Sequence, residues 1–341
     1  MHIWMIDLLC EPGTNSPLRL EIDKQEADDV IEGRLIAPSG KVFPIRNRIP
    51  RFVEPEIQAS VTSFGDQWNY FNFTAQKRNW LEHTVANTFG STEAFANRLI
   101  VDAGGGSGAQ SLWMLESGAR HVILLELSHS VDDVVMRNLG SSYADRLDVI
   151  QCSIDAPPLL PDSINGLVIC HNVIQHTPSV QRTAAALFAI VAPGGEFVFN
   201  CYRRGRMSVL NFVRTYLTYG PMRQVLSRAP FSIILAYSRL MGVLRLVPVV
   251  GWMLNKLRLS ITGRIPDIAG ESWLARKLRV YRLTTLNTFD TFGSHGYQHY
   301  LSSQEQRDVI ASLQPDPNKV ANMQAYFLSP QPTGCAVRVG K

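Results

Sequence analysis

Hydrophobic and polar positions follow one rhythm through most of the chain. Short apolar runs, Leu99-Ile100-Val101, Val122-Ile123-Leu124-Leu125 within 121–126, Gly166-Leu167-Val168-Ile169-Cys170 and Phe197-Val198-Phe199 within 196–200, read as strands, as does 147–151. Between them, 107–117, 129–139 and 180–191 carry apolar residues at helical spacing. Unbroken apolar strands separated by helices predict a parallel sheet covered on both faces. Ligands of such sheets sit at the carboxyl ends of the strands. Further on, 302–313 reads as a helix, and 323–328 with 335–339 as a hairpin.

The rhythm breaks from about Arg203 to Asp290, where the sequence is helical, Arg-rich and apolar. Its most apolar part, 229–254, is interrupted by Pro230, Arg239, Arg245 and Pro248, so no run reaches the roughly 18 to 20 residues that span a bilayer. Over 203–282, 15 Lys and Arg stand against two acids, Asp267 and Glu271, while the net charge of the whole chain is only +4. Such a surface suits an anionic partner, and a solvated helical face is the plainer reading. The arginines alternate with Leu, Val and Ile rather than with stacking aromatics, which favours contact with an anionic membrane surface over nucleic acid.

The most specific stretch is Asp102-Ala103-Gly104-Gly105-Gly106-Ser107-Gly108, where the first apolar run ends. It reads as strand, tight loop and helix. Glycine serves where the chain turns at positive φ and where a ligand approaches the backbone, and the helix start offers unpaired N–H groups. The spacing admits two ligands. Gly104-x-Gly106-x-x-Ala109, with Glu126 ending the next strand, fits a relaxed dinucleotide fingerprint. The longer string Asp102-x-Gly104-x-Gly106-x-Gly108 resembles motif I of class I S-adenosylmethionine-dependent methyltransferases.

Three later segments favour the second ligand. Ala192-Pro193-Gly194-Gly195 resembles the turn before the fifth strand of those enzymes. Residues 149–155 with 160–165 resemble their adenine-side segment, and Asn172-Val173-Ile174-Gln175-His176-Thr177-Pro178 follows the fourth strand. The resemblance, to proteins with a type 11-like methyltransferase domain, implies S-adenosylmethionine as cofactor. It implies backbone at Gly104, Gly106 and Gly108 beneath the methionine moiety, with Asp102 ordering the loop or meeting the cofactor's cationic end. Glu126 would accept from both ribose hydroxyls, a task suited to a carboxylate. Ser153 stands where an Asp toward the adenine amino group is usual; Ile154 backbone or Asp155 would replace that contact. Asn172 completes the cofactor set. His171 and His176, beyond the fourth strand, are candidate bases. Tyr297 and His299, in a return segment together with 286–290, are further acceptor-side candidates.

At the N-terminus, 8–53 resembles a zinc-ribbon module. Three of its four ligand positions are Gly13, Ala37 and Gly40, which leaves Cys10 and predicts a β-rich cap holding no metal. The aromatic link 63–71 resembles a segment lying over the cofactor mouth. The expected organisation is a cap (1–55), a Rossmann-like core (56–202), a basic helical lid (203–290) and the end of the core (291–341), with a mostly parallel sheet closed by an antiparallel hairpin. The expected activity is methyl transfer to a small-molecule or lipid-linked acceptor. The alternatives are an RNA methyltransferase and a non-catalytic S-adenosylmethionine-binding protein. Five scattered cysteines without a C-x-x-C pair, and an N-terminus unlike a signal peptide, suit a cytoplasmic protein, or one peripheral to the inner face of a membrane.

Overall fold

A computed structural model of the chain describes residues 1–53, 62–71, 73, 76–204, 208–263, 265, 268–293, 296–314, 320–326 and 334–340. The described residues fall into two compact units, one formed by 1–203 with the chain from 297 onward, the other by 204–296.

The first unit opens with a four-stranded antiparallel sheet in sequence order: β1 (Arg19–Glu26), β2 (Asp29–Ile36), β3 (Val42–Arg46) and β4 (Ile49–Pro50). Its buried residues Val30, Leu35 and Ile45 belong to the same core as Val101, Ile123 and Val168 of the main sheet, so this module is packed into the larger domain. Cys10 is buried, and burial pushes its thiol up to about 11. A helix, α1 (Thr62–Tyr70), and a helical stretch over 77–88 lead into the core.

The main sheet contains β5 (Leu99–Ala103), β6 (His121–Glu126), β7 (Leu147–Gln151), β8 (Leu167–Cys170), β9 (Glu196–Arg203), β10 (Tyr300–Leu301), β11 (Val320–Tyr326) and β12 (Gly334–Gly340). Seven of them lie in the order β11-β12-β9-β8-β5-β6-β7, and β10 pairs with β9. β9, β8, β5, β6 and β7 are parallel; β12 runs antiparallel to β9 and to β11. This is the Rossmann-like sheet with an antiparallel hairpin that the strand pattern predicts. Of the expected hairpin, 327 and 328 lie outside the described residues.

β5, β6, β7 and β8 are buried along their whole length, which explains their apolar runs. In β5, Ile100 joins one hydrophobic cluster and Val101 the other. The helices covering the sheet include α2 (Ala109–Glu116) and α3 (Val180–Ala189). The helix between β6 and β7 is a π-helix, Val131–Gly140, where sequence spacing suggests an ordinary α-helix. It packs on the glycine loop: Asn138 Nδ2 donates to Ser107 O at 2.9 Å, and a Cβ on Gly108 would lie 2.7 Å from Leu139 Cδ1. At the amino end of the sheet, the Asp148 carboxylate accepts from both His2 Nδ1 and His121 Nε2 at 2.9 Å, tying the N-terminus to β6 and β7.

The second unit is helical: α4 (Val209–Tyr216), α5 (Tyr219–Leu226), α6 (Phe231–Leu244), α7 (Pro248–Lys256) and α8 (Trp273–Phe292). Ser208 and Ser272 cap α4 and α8 by accepting from Asn211 N and Ala275 N, and Pro248 occupies the first turn of α7, where its missing N–H costs nothing. α6 and α8 pack closely enough that a Cβ on Gly242 would lie 2.5 Å from Thr285 Oγ1. The segment 286–290, expected in the return to the sheet, lies within α8. Leu286, Thr288 and Phe289 are buried there, and burial of that face carries the helix on to Phe292. The return begins instead near Tyr297, and α9 (Ser303–Ser312) follows with a capping box from Ser302 and Glu305. Among the described residues, no helix is long and apolar enough to cross a membrane.

Candidate cofactor and acceptor site

The site is built at the carboxyl ends of β5, β6, β8 and β9. After Ala103 the chain turns through Gly104, Gly106 and Gly108 at φ of 82°, 57° and 74°. Room and angle both demand glycine: a Cβ on Gly104 would fall 2.5 Å from Val173 Cγ1, and one on Gly106 2.9 Å from the Trp68 ring. The Gly104 and Gly105 N–H groups donate to Leu125 O at 2.8 and 3.1 Å, binding the loop to the end of β6.

Two carboxylates frame the loop differently. Asp102, 2% exposed, accepts from Ser111 Oγ at 2.6 Å and so fastens the first turns of α2 to β5. Burial, aided by the nearby charge of Glu126 and opposed by the Ser111 bond, pushes its carboxyl up to about 6. Glu126, 7% exposed, accepts from Gly106 N at 2.9 Å through Oε2 and from Ser128 N at 2.8 Å through Oε1. Ser130 Oγ donates to Gly106 O at 2.9 Å, completing the brace. A carboxylate offers about four lone-pair positions, so the two protein donors leave acceptor capacity for a ligand's hydroxyls.

Ser153 Oγ accepts from Asp155 N at 3.3 Å, and Ile154 is buried. The Asp155 carboxylate accepts from Thr183 on α3, whose hydroxyl also lies 2.9 Å from Thr177 Oγ1, so Asp155 is committed to this polar knot. Asn172 adopts φ 61° just past β8, where its N–H donates to Asn200 Oδ1 and its Oδ1 accepts from Asn200 Nδ2, both at 2.6 Å. These two hydrogen bonds join the chain just past β8 to β9. Asn200 was not among the expected site residues; its signal is a lone amide ending an apolar strand.

α1 lies against the loop. Besides the Trp68 contact at Gly106, a Cβ on Gly65 would meet the His129 ring at 2.2 Å, and Asp66 pairs with His129 at 3.6 Å. The aromatic link thus covers the glycine loop, with Trp68 at its centre.

Three of the four acceptor-side candidates come together. His176 Nδ1 lies 3.0 Å from Tyr297 O, and His299 Nε2 lies 3.0 Å from Thr177 O. The Tyr297 and His299 rings stack with centroids 6.1 Å apart, and His299 N–H donates to Gln175 O. A nitrogen facing a carbonyl must carry the proton, so Nε2 of His176 and Nδ1 of His299 are the basic nitrogens. His171, just past β8, has Nδ1 3.5 Å from Asn172 Nδ2, and burial lowers it to about 4, so it is neutral at ordinary pH. Sequence reasoning missed Gln175: it is fully buried, and among the described residues neither its Nε2 nor its Oε1 has a hydrogen-bond partner. Buried amides are rarely left so.

Sheet order, with a parallel core and a closing antiparallel hairpin, is that of a Rossmann-like methyltransferase fold. Residues 101–199 match the family model described as Methyltransferase domain, a span running from β5 through most of β9. Over 123 residues the chain is 26% identical to a ubiquinone/menaquinone biosynthesis C-methyltransferase from Methylobacterium nodulans, a match covering 36% of this chain; the chain spans about half the length of that relative, 48%. Among solved structures, magnesium protoporphyrin IX methyltransferase from Synechocystis aligns over 84% of this chain and 99% of its own (11% identity, TM-score 0.45). An S-adenosylmethionine-dependent methyltransferase from Mesorhizobium loti aligns over 73% and 93% (16% identity, TM-score 0.40). The cofactor of this domain is S-adenosylmethionine, and the glycine cradle and the open acceptor capacity of Glu126 fit it.

Proposed function

We propose that the protein is a methyltransferase that moves a methyl group from S-adenosylmethionine to a small-molecule or lipid-linked acceptor through O, N or C. The observation that carries this reading is Glu126, a buried carboxylate held by two backbone N–H groups beside a glycine loop and still able to accept from a diol. Backbone at Gly104, Gly106 and Gly108 would hold the methionine portion, Glu126 the ribose, and Ser153 with Ile154 the adenine side, while Asp102 and Asn172 keep the strand ends in place.

When bound, the cofactor supplies an electrophilic methyl on a sulfonium. What remains for the chain is to align the acceptor and exclude water. Where the acceptor carries a proton to be lost, Nε2 of His176 or Nδ1 of His299 takes it, with Tyr297 positioning both. His171, too weak a base at about 4, serves to pack and orient. The unpartnered amide of Gln175 offers a donor and an acceptor to the bound acceptor molecule. The basic helical segment interrupts the chain just before Tyr297, and we assign it to acceptor selection as a lid.

Two measurements test this. Calorimetric titration of the intact protein should show binding of S-adenosylmethionine and none of NADH; the reverse outcome overturns the cofactor assignment. Incubation with methyl-labelled S-adenosylmethionine and separate lipid and aqueous small-molecule extracts should place label in one fraction. Cofactor binding with no labelled product in either overturns the acceptor assignment and leaves an RNA methyltransferase, which label in an added RNA fraction would show, or a non-catalytic S-adenosylmethionine-binding protein.

A further inference from the structure

The helical unit exposes an apolar surface that its own packing does not use. On α7, Val249, Trp252 and Met253 are 75%, 60% and 48% exposed, and Lys256 continues the same stripe at i, i+3, i+4 and i+7. α8 is divided. Its second half, from Thr284 to Phe292, supplies the buried seam, whereas Trp273, Leu274 and Leu278 in its first turns are 73%, 61% and 47% exposed. An amphipathic helix normally turns its apolar face inward. Here two helices turn such a face outward.

Only the first turn of α7 lies near the start of α8. α6 and α8 run antiparallel, with Gly242 against Tyr281 and Thr285, and Lys277 Nζ within 3.5 Å of Leu246 O. α7 starts two residues past Leu246 and ends beside α4 and α5, where Lys256 O accepts from Arg214 Nε and Leu257 O from Thr218 Oγ1, both at 2.8 Å. Each outward face carries a tryptophan with a lysine above its ring: Lys256 Nζ is 5.3 Å from the Trp252 centroid and Lys277 Nζ 5.7 Å from that of Trp273. An indole at the level of the headgroups beside an ammonium that reaches phosphate is the arrangement found at membrane interfaces. The surrounding sequence has 15 Lys and Arg against two acids over 203–282, and of those acids Glu271 is bound by Arg279 Nε at 2.8 Å.

We propose that the helical unit docks through these two faces on a bilayer surface containing anionic phospholipid, with Trp252 and Trp273 entering the headgroup region and the basic residues meeting phosphate. Charge selects this occupant. A second copy of the chain would bring the same positive excess to the interface, and a nucleic acid would leave Val249, Leu274 and Leu278 without apolar partners. The docking does not depend on methyl transfer by the core, so either can fail alone.

The test is flotation of the intact protein with phosphatidylcholine vesicles and with phosphatidylcholine/phosphatidylglycerol vesicles. Binding is expected to the mixed vesicles only, falling as salt rises, with a blue shift of tryptophan emission. Lys256→Gln with Lys277→Gln should weaken it about 30-fold, from roughly 1 kcal/mol per cation near a charged surface. Trp252→Ser with Trp273→Ser should abolish the blue shift and weaken binding, at an unchanged melting temperature because both rings are solvent-facing. No flotation with mixed vesicles at low salt, equal binding to neutral vesicles, or a lipid-free dimer that shields the tryptophans would each overturn the proposal.

Discussion

Replacement of Glu126 probes the cofactor site most directly, because the magnitude follows from two bonds of the same carboxylate. Its oxygens hold Gly106 N–H at 2.9 Å and Ser128 N–H at 2.8 Å, and both residues are buried. Alanine removes both acceptors; a buried N–H left unpaired costs about 1–3 kcal/mol, so the fold should lose roughly 2–4 kcal/mol, allowing for water entering the space. Two ribose hydroxyls also lose an ionised acceptor, where each bond is worth about 1.5–3 kcal/mol; taking the lower end for both gives about 3 kcal/mol, or roughly 150-fold in Kd. Glutamine keeps the volume and one oxygen but turns an NH2 toward one of the two N–H groups, so its affinity should fall by roughly tenfold. Calorimetry with S-adenosylmethionine, alongside thermal melts of the same samples, should rank affinity as wild type, then Glu126→Gln, then Glu126→Ala. If Glu126→Ala is folded and binds as tightly as wild type, the ribose role is wrong. Should the alanine variant fail to fold, the glutamine variant decides, since it retains part of the brace.

Other expectations follow from the same geometry. Gly104→Ala must hold a side chain at φ 82° and 2.5 Å from Val173, costing about 1–2 kcal/mol for the backbone and about 1–3 for the overlap; Val173→Ala in the same chain should restore the second part of the melting-temperature loss and not the first. Asp102 is pushed up to about 6, so its ionisation disfavours the fold as pH rises from about 4 to above 6. Asp102→Asn, still able to accept from Ser111, should gain stability relative to wild type over that range, and a difference constant with pH would refute the assignment. At the opposite end of the sheet, burial alone would raise Asp148, but the bonds from His121 and His2 outweigh it and hold the carboxyl low, while the bond to Asp148 raises His2. Asp29 also faces His2 at 3.8 Å and is itself paired with Arg48 at 3.2 Å. The depressed carboxylate stabilises above the ordinary range near 4 and the raised imidazole below about 6.5, so the loss in Asp148→Asn, measured by urea unfolding, should be greatest between those values and shrink on either side.

How far the sequence foretold this molecule depends on what each residue's neighbours impose. The strands β6 and β7 coincide with their expected spans because burial on both faces leaves an apolar run with nothing else to mean. The π-helix Val131–Gly140 has no such mark; its register is set by Asn138 reaching Ser107 and Leu139 meeting Gly108, contacts about thirty residues apart in sequence. The sequence marks 203–290 as helical without separating α7 and α8 or telling which way their stripes face, since a stripe turned to solvent and one turned to a core have the same period. Asn200 and Gln175 were hidden for a related reason: a single amide near a strand end looks the same whether it meets water, a partner amide or nothing.

The two carboxylates beside the glycine loop show what geometry adds to spacing. In sequence, Asp102 and Glu126 are alike, each an acid closing an apolar run, and each a candidate for the cofactor. In the fold, Asp102 is closed upon Ser111 and raised by burial, so its bond holds α2 to β5. Glu126 receives its bonds from the backbone of the loop and of Ser128, and keeps lone pairs for other donors. The same loop residue, Gly106, is thus braced by Glu126 through its N–H and by Ser130 through its carbonyl, with Trp68 on its open side. A ligand that takes hydrogen bonds from neither group but donates to Glu126 leaves this brace intact, as a ribose diol would. A ligand that instead required the Gly106 N–H, as a pyrophosphate does at a dinucleotide loop, would have to displace Glu126 from it. The brace therefore argues for the diol and against the pyrophosphate at Gly106, a choice that glycine spacing alone left open.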